Sequence, residues 1–372
     1  MTDTTQHPAQ KTTRRHLLGT AIVGTAAAPL AAPAYAQGKR ELKMATGWPK
    51  KFPGLGVASQ RIGDAITAAT DGRLTVKVFG AGELVPPFEA FDAVASGAAD
   101  LYHAAEYYWQ GKSTAFNFFA GVPFGMTTAE HNAWIYHRGG QALWEEVSAQ
   151  FGVIAFMAGN SSAQAGGWFN KEINSVDDLK GLKMRIPGFG GKVIDAVGGT
   201  AVTLPGGEIF AALQSGAIDA GEMAGPWIDL GFGFYKAAKY FYNPGFQEPT
   251  SAESLGINLA LWEELSDGDK AIIRMAAAQE NVMNPADFIA NHARSLEVLL
   301  SEHGVELRSY PDEVMLELGK ASRQVLADAA AADPLTKKVY DSYVAFLDEA
   351  AGWTEQSEQA YLRARSLVRA AG

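Results

Sequence analysis

Two twelve-residue segments, a domain's length apart, carry nearly the same sequence. Residues 89–100 read EAFDAVASGAAD and residues 208–219 read EIFAALQSGAID, with seven positions in agreement: the Glu, Phe, Ala, Ser, Gly, Ala and Asp of each copy. In the second copy an amphipathic run (Ile209, Phe210, Leu213) ends at Gly216, a residue suited to the left-handed position that closes a helix. A short apolar strand over residues 217–220 then delivers Glu222 to its C-terminal end. Each copy follows a Gly-rich turn, Gly80-Ala81-Gly82 in one and Gly206-Gly207 in the other. This doubling implies two similar strand–helix–strand units facing each other across a cleft. The alternative is coincidence in an Ala- and Gly-rich chain. In open α/β sheets ligands lie beyond the carboxyl ends of strands. That rule marks Glu222 and, at the equivalent place after the first copy, Tyr107 and Tyr108. An aromatic cluster there has packing as its ordinary explanation.

The 372 residues suit roughly two domains, and 47% hydrophobic content is ample for buried cores. The N-terminus has a separate role. Arg14-Arg15 begins a twin-arginine pattern, a moderately apolar run follows over residues 17–28, and Ala34-Tyr35-Ala36 offers small residues for cleavage before Gln37. Residues 1–36 therefore read as a twin-arginine signal peptide and the rest as a periplasmic protein. No cysteine occurs, which excludes a disulfide framework and thiolate metal sites. The leader carries a net +2, leaving the mature chain near −12. Such acidity argues against a nucleic-acid partner, which needs a basic face, but not against a small anion, whose binding depends on local groups.

Strands are expected over residues 41–48, 74–78, 151–157 and 182–186, and a helical stripe at Leu55, Ile62 and Ile66. Ser175 to Leu179 reads as a helical cap and first turn. From Leu259 onward the chain is mostly helical, with Ser266 and Pro311-Asp312 opening helices and Asp333-Pro334 interrupting them. The last helix carries Val339, Tyr343, Val344 and Leu347 on one side, a stripe that calls for the protein's own body or for a second copy. Enzyme motifs are absent. Neither HExxH nor a Gly-x-Ser-x-Gly elbow occurs. His131 and His137 are six apart and do not stack on one helical face, so they read as core or surface histidines. Residues 188–192 mimic a phosphate loop, but Ile186 stands where its first glycine belongs and Val193 where its hydroxyl belongs.

What remains is an arginine with a few oxygen donors on loops that could converge. Arg185, at the end of a buried strand, needs an anionic partner, since an unpaired guanidinium out of water is costly. A ligand carboxylate gripped in the fork geometry would serve, and so would a salt bridge to a protein carboxylate. Gln164 and Glu222 are hard oxygen donors of the kind that suits Na⁺ or Ca²⁺.

From about residue 41 to about residue 262 the chain resembles the substrate-binding proteins of TRAP transporters. Within them it is most similar to the branch that binds 2-oxo (α-keto) acids. The resemblance rests on GNSSAQAGGWF (residues 159–169), KEINSVDDLKGLKMRIPGFGGKV (171–193), GGEIFAALQSGAIDAGEMAGPW (206–227) and FGFYKAAKYFYNPGFQE (232–248). It implies a two-domain α/β periplasmic-binding-protein fold of the type II-like kind, with hinge crossings near residues 160 and 250. One domain would comprise residues 37–162 with 251–290, the other 163–250 with 291–320, and residues 321–372 would form C-terminal helices. It further implies capture without chemistry, so not an enzyme. Arg185 would clamp the ligand's carboxylate. A cation, Na⁺ or alternatively Ca²⁺, would be held by Gln164, Glu222 and the Met223 carbonyl. Asn160, Tyr107, Tyr108 and Glu248 fall where that branch contacts the ligand or its metal shell. Met223 departs from the branch, which has Trp there, and this leaves the ligand's side chain open. Membrane permease subunits are the implied partners, and a homodimer through the C-terminal helices is a further expectation. Three alternatives stay open: a 2-hydroxy acid such as lactate held with calcium, a metal-dependent keto-acid enzyme, and a sensor ectodomain.

Overall fold

The computed structural model describes residues 38–372, and the signal-peptide reading of residues 1–36 lies outside them. The chain opens with β1 (Arg40–Thr46), α1 (Leu55–Ala69), β2 (Leu74–Phe79), α2 (Ala90–Ala95) and β3 (Leu101–Ala104). Two 3-10 segments, Glu106–Trp109 and Thr114–Phe119, lead to α3 (Thr128–His137), α4 (Gly140–Ala149) and β4 (Val153–Asn160). Then come β5 (Gly167–Phe169), β6 (Lys183–Arg185), α5 (Gly188–Ala196) and β7 (Thr200–Val202). After these follow α6 (Gly206–Ser215), β8 (Ala220–Gly221), α7 (Pro226–Phe232) and β9 (Tyr240–Tyr242). The final third runs β10 (Ala252–Asn258), α8 (Leu259–Glu264), α9 (Asp267–Ser301), β11 (Glu306–Arg308), α10 (Asp312–Ala332), α11 (Pro334–Thr354) and α12 (Ala360–Ala371).

The strands form two mixed sheets. One is five-stranded, ordered β2-β1-β3-β10-β4; the other is six-stranded, ordered β11-β9-β5-β8-β6-β7. The chain leaves the first sheet after Asn160 and returns at Ala252, then leaves again along α9 to place β11 beside β9. Alternation predicts the strands of the first sheet well. In α1 the apolar stripe Leu55, Ile62 and Ile66 is fully buried. All eight residues of β4 are buried, although β4 is a sheet edge, because α9 and α4 cover it.

The repeated segment is a structural repeat. Each copy supplies a helix, α2 or α6, that closes on a left-handed glycine, Gly97 (φ 78°) or Gly216 (φ 71°). The aspartate that ends each copy then performs the same task in both sheets. The Asp100 carboxylate accepts from Lys43 N (2.8 Å) while its own N–H donates to Lys43 O (3.0 Å). Asp219 does the same with Lys183, at 2.9 and 2.7 Å. The matched aspartates thus pin β3 to β1 and β8 to β6, and coincidence does not account for that.

Two local expectations change and an open one is decided. The strand expected over residues 217–220 is only Ala220–Gly221, because Asp219 is occupied in bracketing Lys183. Ser175 does make a capping box with Asp178, but the turn it opens is a single 3-10 turn, Val176–Leu179, not an α-helix. The stripe on α11 finds its partner within the chain: Val339 and Tyr343 are buried, and the Tyr343 hydroxyl accepts from Met126 N at 2.9 Å. No described helix is long and apolar enough to cross a membrane.

Candidate functional site

Arg185 is the last residue of β6 and lies in register with Gly221 of the parallel strand β8. The residue after Gly221 is Glu222, so guanidinium and carboxylate leave the sheet side by side. Both are 1% exposed. Glu222 N donates to Arg185 O (3.2 Å), and Arg185 Nη1 donates to both the Glu222 carbonyl and Oε1 (2.7 Å each). Arg185 Nε donates to Leu204 O at 3.0 Å. The salt-bridge alternative for Arg185 is therefore present. Arg185 Nη2 and Glu222 Oε2 are buried without a hydrogen bond of ordinary geometry, and the Tyr108 side chain lies close enough to interact with the guanidinium.

Gly167 makes this approach feasible. Its φ of +113° is a glycine conformation, and a Cβ there would lie 2.8 Å from Gly221 O and 3.0 Å from the Glu222 Cβ. Just before it, Gln164 N donates to Glu248 O (3.0 Å), joining the two crossing segments. The Gln164 side chain donates to Ser161 Oγ (2.9 Å) and its Oε1 is left without a partner. Glu248, 3% exposed on the returning segment, has no partner of ordinary hydrogen-bond geometry at Oε2, while Ser251 and Tyr107 interact with its carboxyl group.

From the 3-10 segment after β3 come Tyr107 and Tyr108, their rings edge-on with centroids 4.9 Å apart. Tyr108 is half-buried against Phe88. Asn160 differs from the rest. Its Nδ2 donates to Thr250 Oγ1 (2.8 Å) and its Oδ1 accepts from Ser162 N (2.7 Å) and Thr128 Oγ1 (3.3 Å). Its amide is engaged by the crossing loops themselves. Met223 is buried with its thioether beside Gly206, where a Cβ would come within 3.1 Å of the sulfur.

Burial dominates the electrostatics. It opposes the charge on Arg185, but Glu222 and the two tyrosines outweigh that and hold its pKa above the ordinary value. Burial pushes Glu222 well up despite Arg185, and Glu248 and Asp229 push it further. Glu248 is raised to about 7, Asp229 to about 7 and Glu253 to about 8, in each case chiefly by desolvation. Tyr108 is pushed up to about 12 by burial, against the pull of Arg185. One guanidinium thus faces several carboxyl groups, and burial raises the pKa of each.

The sequence did not mark Glu253, Asp229 or Trp168 as site residues, and it marked Gln247, with Phe246, only as standing where the branch has bulky aromatics. Gln247 donates to Ala165 O (2.8 Å) and leaves its Oε1 unpartnered, and Glu253 Oε2 is also unpartnered. Nothing in the pattern of an apolar strand such as β10 announces a buried acid. The histidines are structural or peripheral. His103 sits between Ser59 and Trp48 at Nδ1 and Ala158 O at Nε2, and His131 donates from Nε2 to Phe118 O; burial lowers both to about 4. His137 is exposed.

The model for bacterial extracellular solute-binding proteins, family 7, matches residues 44–333. The chain belongs to that family. A Nostoc sp. protein named as a monocarboxylate 2-oxoacid-binding periplasmic protein is 37% identical over 356 residues, covering 94% of this chain and 97% of the relative. A TRAP periplasmic solute-binding protein of Pseudoalteromonas atlantica, solved with bound sodium and pyruvate, is 37% identical with a TM-score of 0.85. It aligns over 87% of this chain and 99% of that one. Another, from Colwellia psychrerythraea with bound calcium and pyruvate, is 36% identical with a TM-score of 0.85 over the same shares. The mixed α/β two-sheet architecture with C-terminal helices is thus that of TRAP solute-binding proteins, and the family is one of binding proteins rather than enzymes.

In this member of the family 7 solute-binding proteins, the chemistry of the donors fits a hard cation. Gln164 Oε1, Glu222 Oε2 and Glu248 Oε2 are buried, unpartnered oxygens, the donor type that Na⁺ and Ca²⁺ prefer. Among the described residues no group of three or more His, Cys, Asp or Glu is placed to hold a metal. A site built on Gln164, Glu222 and Glu248 would combine an amide oxygen with two carboxylates and would lack the Cys and His ligands usual for zinc.

Proposed function

We propose that this chain is the periplasmic solute-binding protein of a TRAP transporter and captures a small 2-oxo monocarboxylate of the pyruvate kind, without chemical change. The observation that carries this reading is the set of unused atoms: one buried cationic donor, Arg185 Nη2, among buried anionic and amide oxygens. Buried polar groups without partners are rare and costly, so a ligand that satisfies both signs is favoured by the site itself. Arg185 Nη2 would receive the ligand's carboxylate in a charge-assisted bond. Gln164, Glu222, Glu248 and the Met223 carbonyl would hold Na⁺ or Ca²⁺. The cation, when bound, supplies the positive charge that lets Glu222 and an anionic ligand share one small space. Tyr107 and Tyr108 would wall the ligand and exclude water, and Asn160 would set the crossing loops on which Gln164 rides. Closing of the two lobes then buries the ligand for delivery to the membrane permease.

The relatives solved with pyruvate and sodium or calcium support the ligand class. Export by the twin-arginine route follows from Arg14-Arg15. A homodimer is proposed through α12, whose Leu362, Leu367 and Val368 are exposed. The test of function is calorimetric titration with pyruvate and with lactate, before and after chelator treatment and sodium depletion. Pyruvate binding that depends on a cation is the expected result. Preference for lactate selects the 2-hydroxy acid reading, and turnover of pyruvate revives the enzyme reading.

A further inference from the structure

The turn 222–225, which carries both Glu222 and Met223, is held by a carboxylate beyond it. Asp229 lies in the first turn of α7 and is 1% exposed. Its Oδ2 accepts from the Trp168 indole N–H at 2.9 Å. Its Oδ1 accepts from Gly225 N at 3.3 Å and Ala224 N at 3.5 Å. Trp168 itself is fully buried on β5, in register with Gly221.

We propose that Asp229, fixed by Trp168, is the positioning residue that aims the Met223 carbonyl and the Glu222 carboxylate at the cation; this rests on the site reading given above. The Met223 carbonyl and the Ala224 N–H belong to one trans peptide, whose C=O and N–H point in opposite directions. By holding the Ala224 N–H, Asp229 turns the Met223 oxygen away from α7. The other end of the turn is fixed by Glu222 N on Arg185 O. A third side is closed by α9. Trp227 N donates to His292 Nδ1 at 3.3 Å, and the His292 ring would lie 3.0 Å from a Cβ at Gly225, whose φ is +131°. A buried carboxylate is costly unless hydrogen-bonded, and this one collects three donors, two of them from the turn that presents the ligands. Groups that orient metal ligands in this way typically govern affinity for the metal by about 10–100-fold.

The ordinary reading of Asp229 is a helix-capping acid that stabilises α7 and nothing else, and the test separates the two. Trp168→Phe removes the donor and keeps the bulk of the ring, and Asp229→Asn sets an amide against the indole N–H. Pyruvate is titrated into chelator-treated wild type and variants over a series of sodium or calcium concentrations at constant ionic strength. Folding is checked by circular dichroism. The half-saturating cation concentration should rise by about tenfold or more, while pyruvate affinity at saturating cation returns to within about threefold of wild type. A folded variant with an unchanged half-saturating concentration overturns the inference, as does an affinity loss that saturating cation does not restore. Wild-type pyruvate affinity indifferent to cations removes the cation site itself. Should Asp229→Asn fail to fold, Trp168→Phe alone decides.

Discussion

Replacing Glu222 with Gln removes one charge and little volume at the centre of the proposed site. Glu222 Oε1 is held by Arg185 at 2.7 Å and Oε2 is unpartnered, so the free oxygen is the one available to a cation. At a cation–oxygen distance of about 2.4 Å and an effective dielectric of about 20, two unit charges interact by about 7 kcal/mol. Half a carboxylate charge on one oxygen leaves about 3.5 kcal/mol. The amide oxygen of Gln returns part of this through its dipole, and the neutral side chain no longer resists burial. A net loss of about 1.4–3 kcal/mol remains, which is tenfold or somewhat more than one hundredfold in affinity. Arg185 keeps its bond to the backbone carbonyl of residue 222 at 2.7 Å, so the clamp survives the substitution. Calorimetry with pyruvate at fixed sodium, on a variant whose circular dichroism and Tm match the wild type, reads the effect. Affinity within about threefold of wild type, well under the calculated loss, would refute the cation bridge.

Three other outcomes are expected. Glu106 is buried beneath the Tyr102 hydroxyl, which donates to its Oε1 at 2.6 Å, and desolvation raises its pKa from 4.5 to about 7. Between those values the folded protein keeps a proton that the unfolded chain has released, so stability falls as pH rises through this window and levels above it. Glu106→Gln, neutral throughout, should flatten that slope in denaturant titrations run at a series of pH values; an unaltered slope contradicts the assignment. Gly167→Ala forces a Cβ to 2.8 Å from Gly221 O at a φ of +113° and should cost about 1–3 kcal/mol, read as a lower Tm. Removing residues 355–372 deletes the exposed α12 and should convert a dimer to a monomer in light scattering with pyruvate affinity unchanged. An unaltered mass would show that α12 does not join two copies.

Much of the framework is legible because it obeys local rules. Leu55, Ile62 and Ile66 declare α1 by their spacing, and Gly97 and Gly216 declare helix ends because a left-handed residue is needed there. The paired aspartates Asp100 and Asp219 are legible only through repetition, since a single Asp after a helix says nothing about bracketing a lysine backbone one strand away. Parts of the site resist reading for a physical reason. Glu253 lies on β10, and Asp229 lies in the first turn of a short helix that begins at Pro226; each sits in a local context that would suit an apolar or a surface residue equally well. Their burial is set by elements far along the chain. The same holds for Asn160: nothing in the sequence at the end of β4 distinguishes an amide that greets a ligand from one already occupied by Thr250 and Thr128.

The balance of charge couples the cation and the anion of the proposed site. With the lobes as they stand, Arg185 is buried beside Glu222, and Glu248, Glu253 and Asp229 have pKa values lifted into or above the neutral range by loss of water. An anionic ligand alone would add a negative charge to this group, and a cation alone would leave Arg185 Nη2 without an acceptor. Cation and anion entering together leave the net charge of the cluster almost unchanged and satisfy donors and acceptors at once. Each should therefore bind more tightly in the presence of the other. By reciprocity, the factor by which sodium strengthens pyruvate binding must equal the factor by which pyruvate strengthens sodium binding. Paired calorimetric titrations in both orders check this; if each binds independently of the other, the unused atoms of Arg185 and Glu222 are not parts of one site.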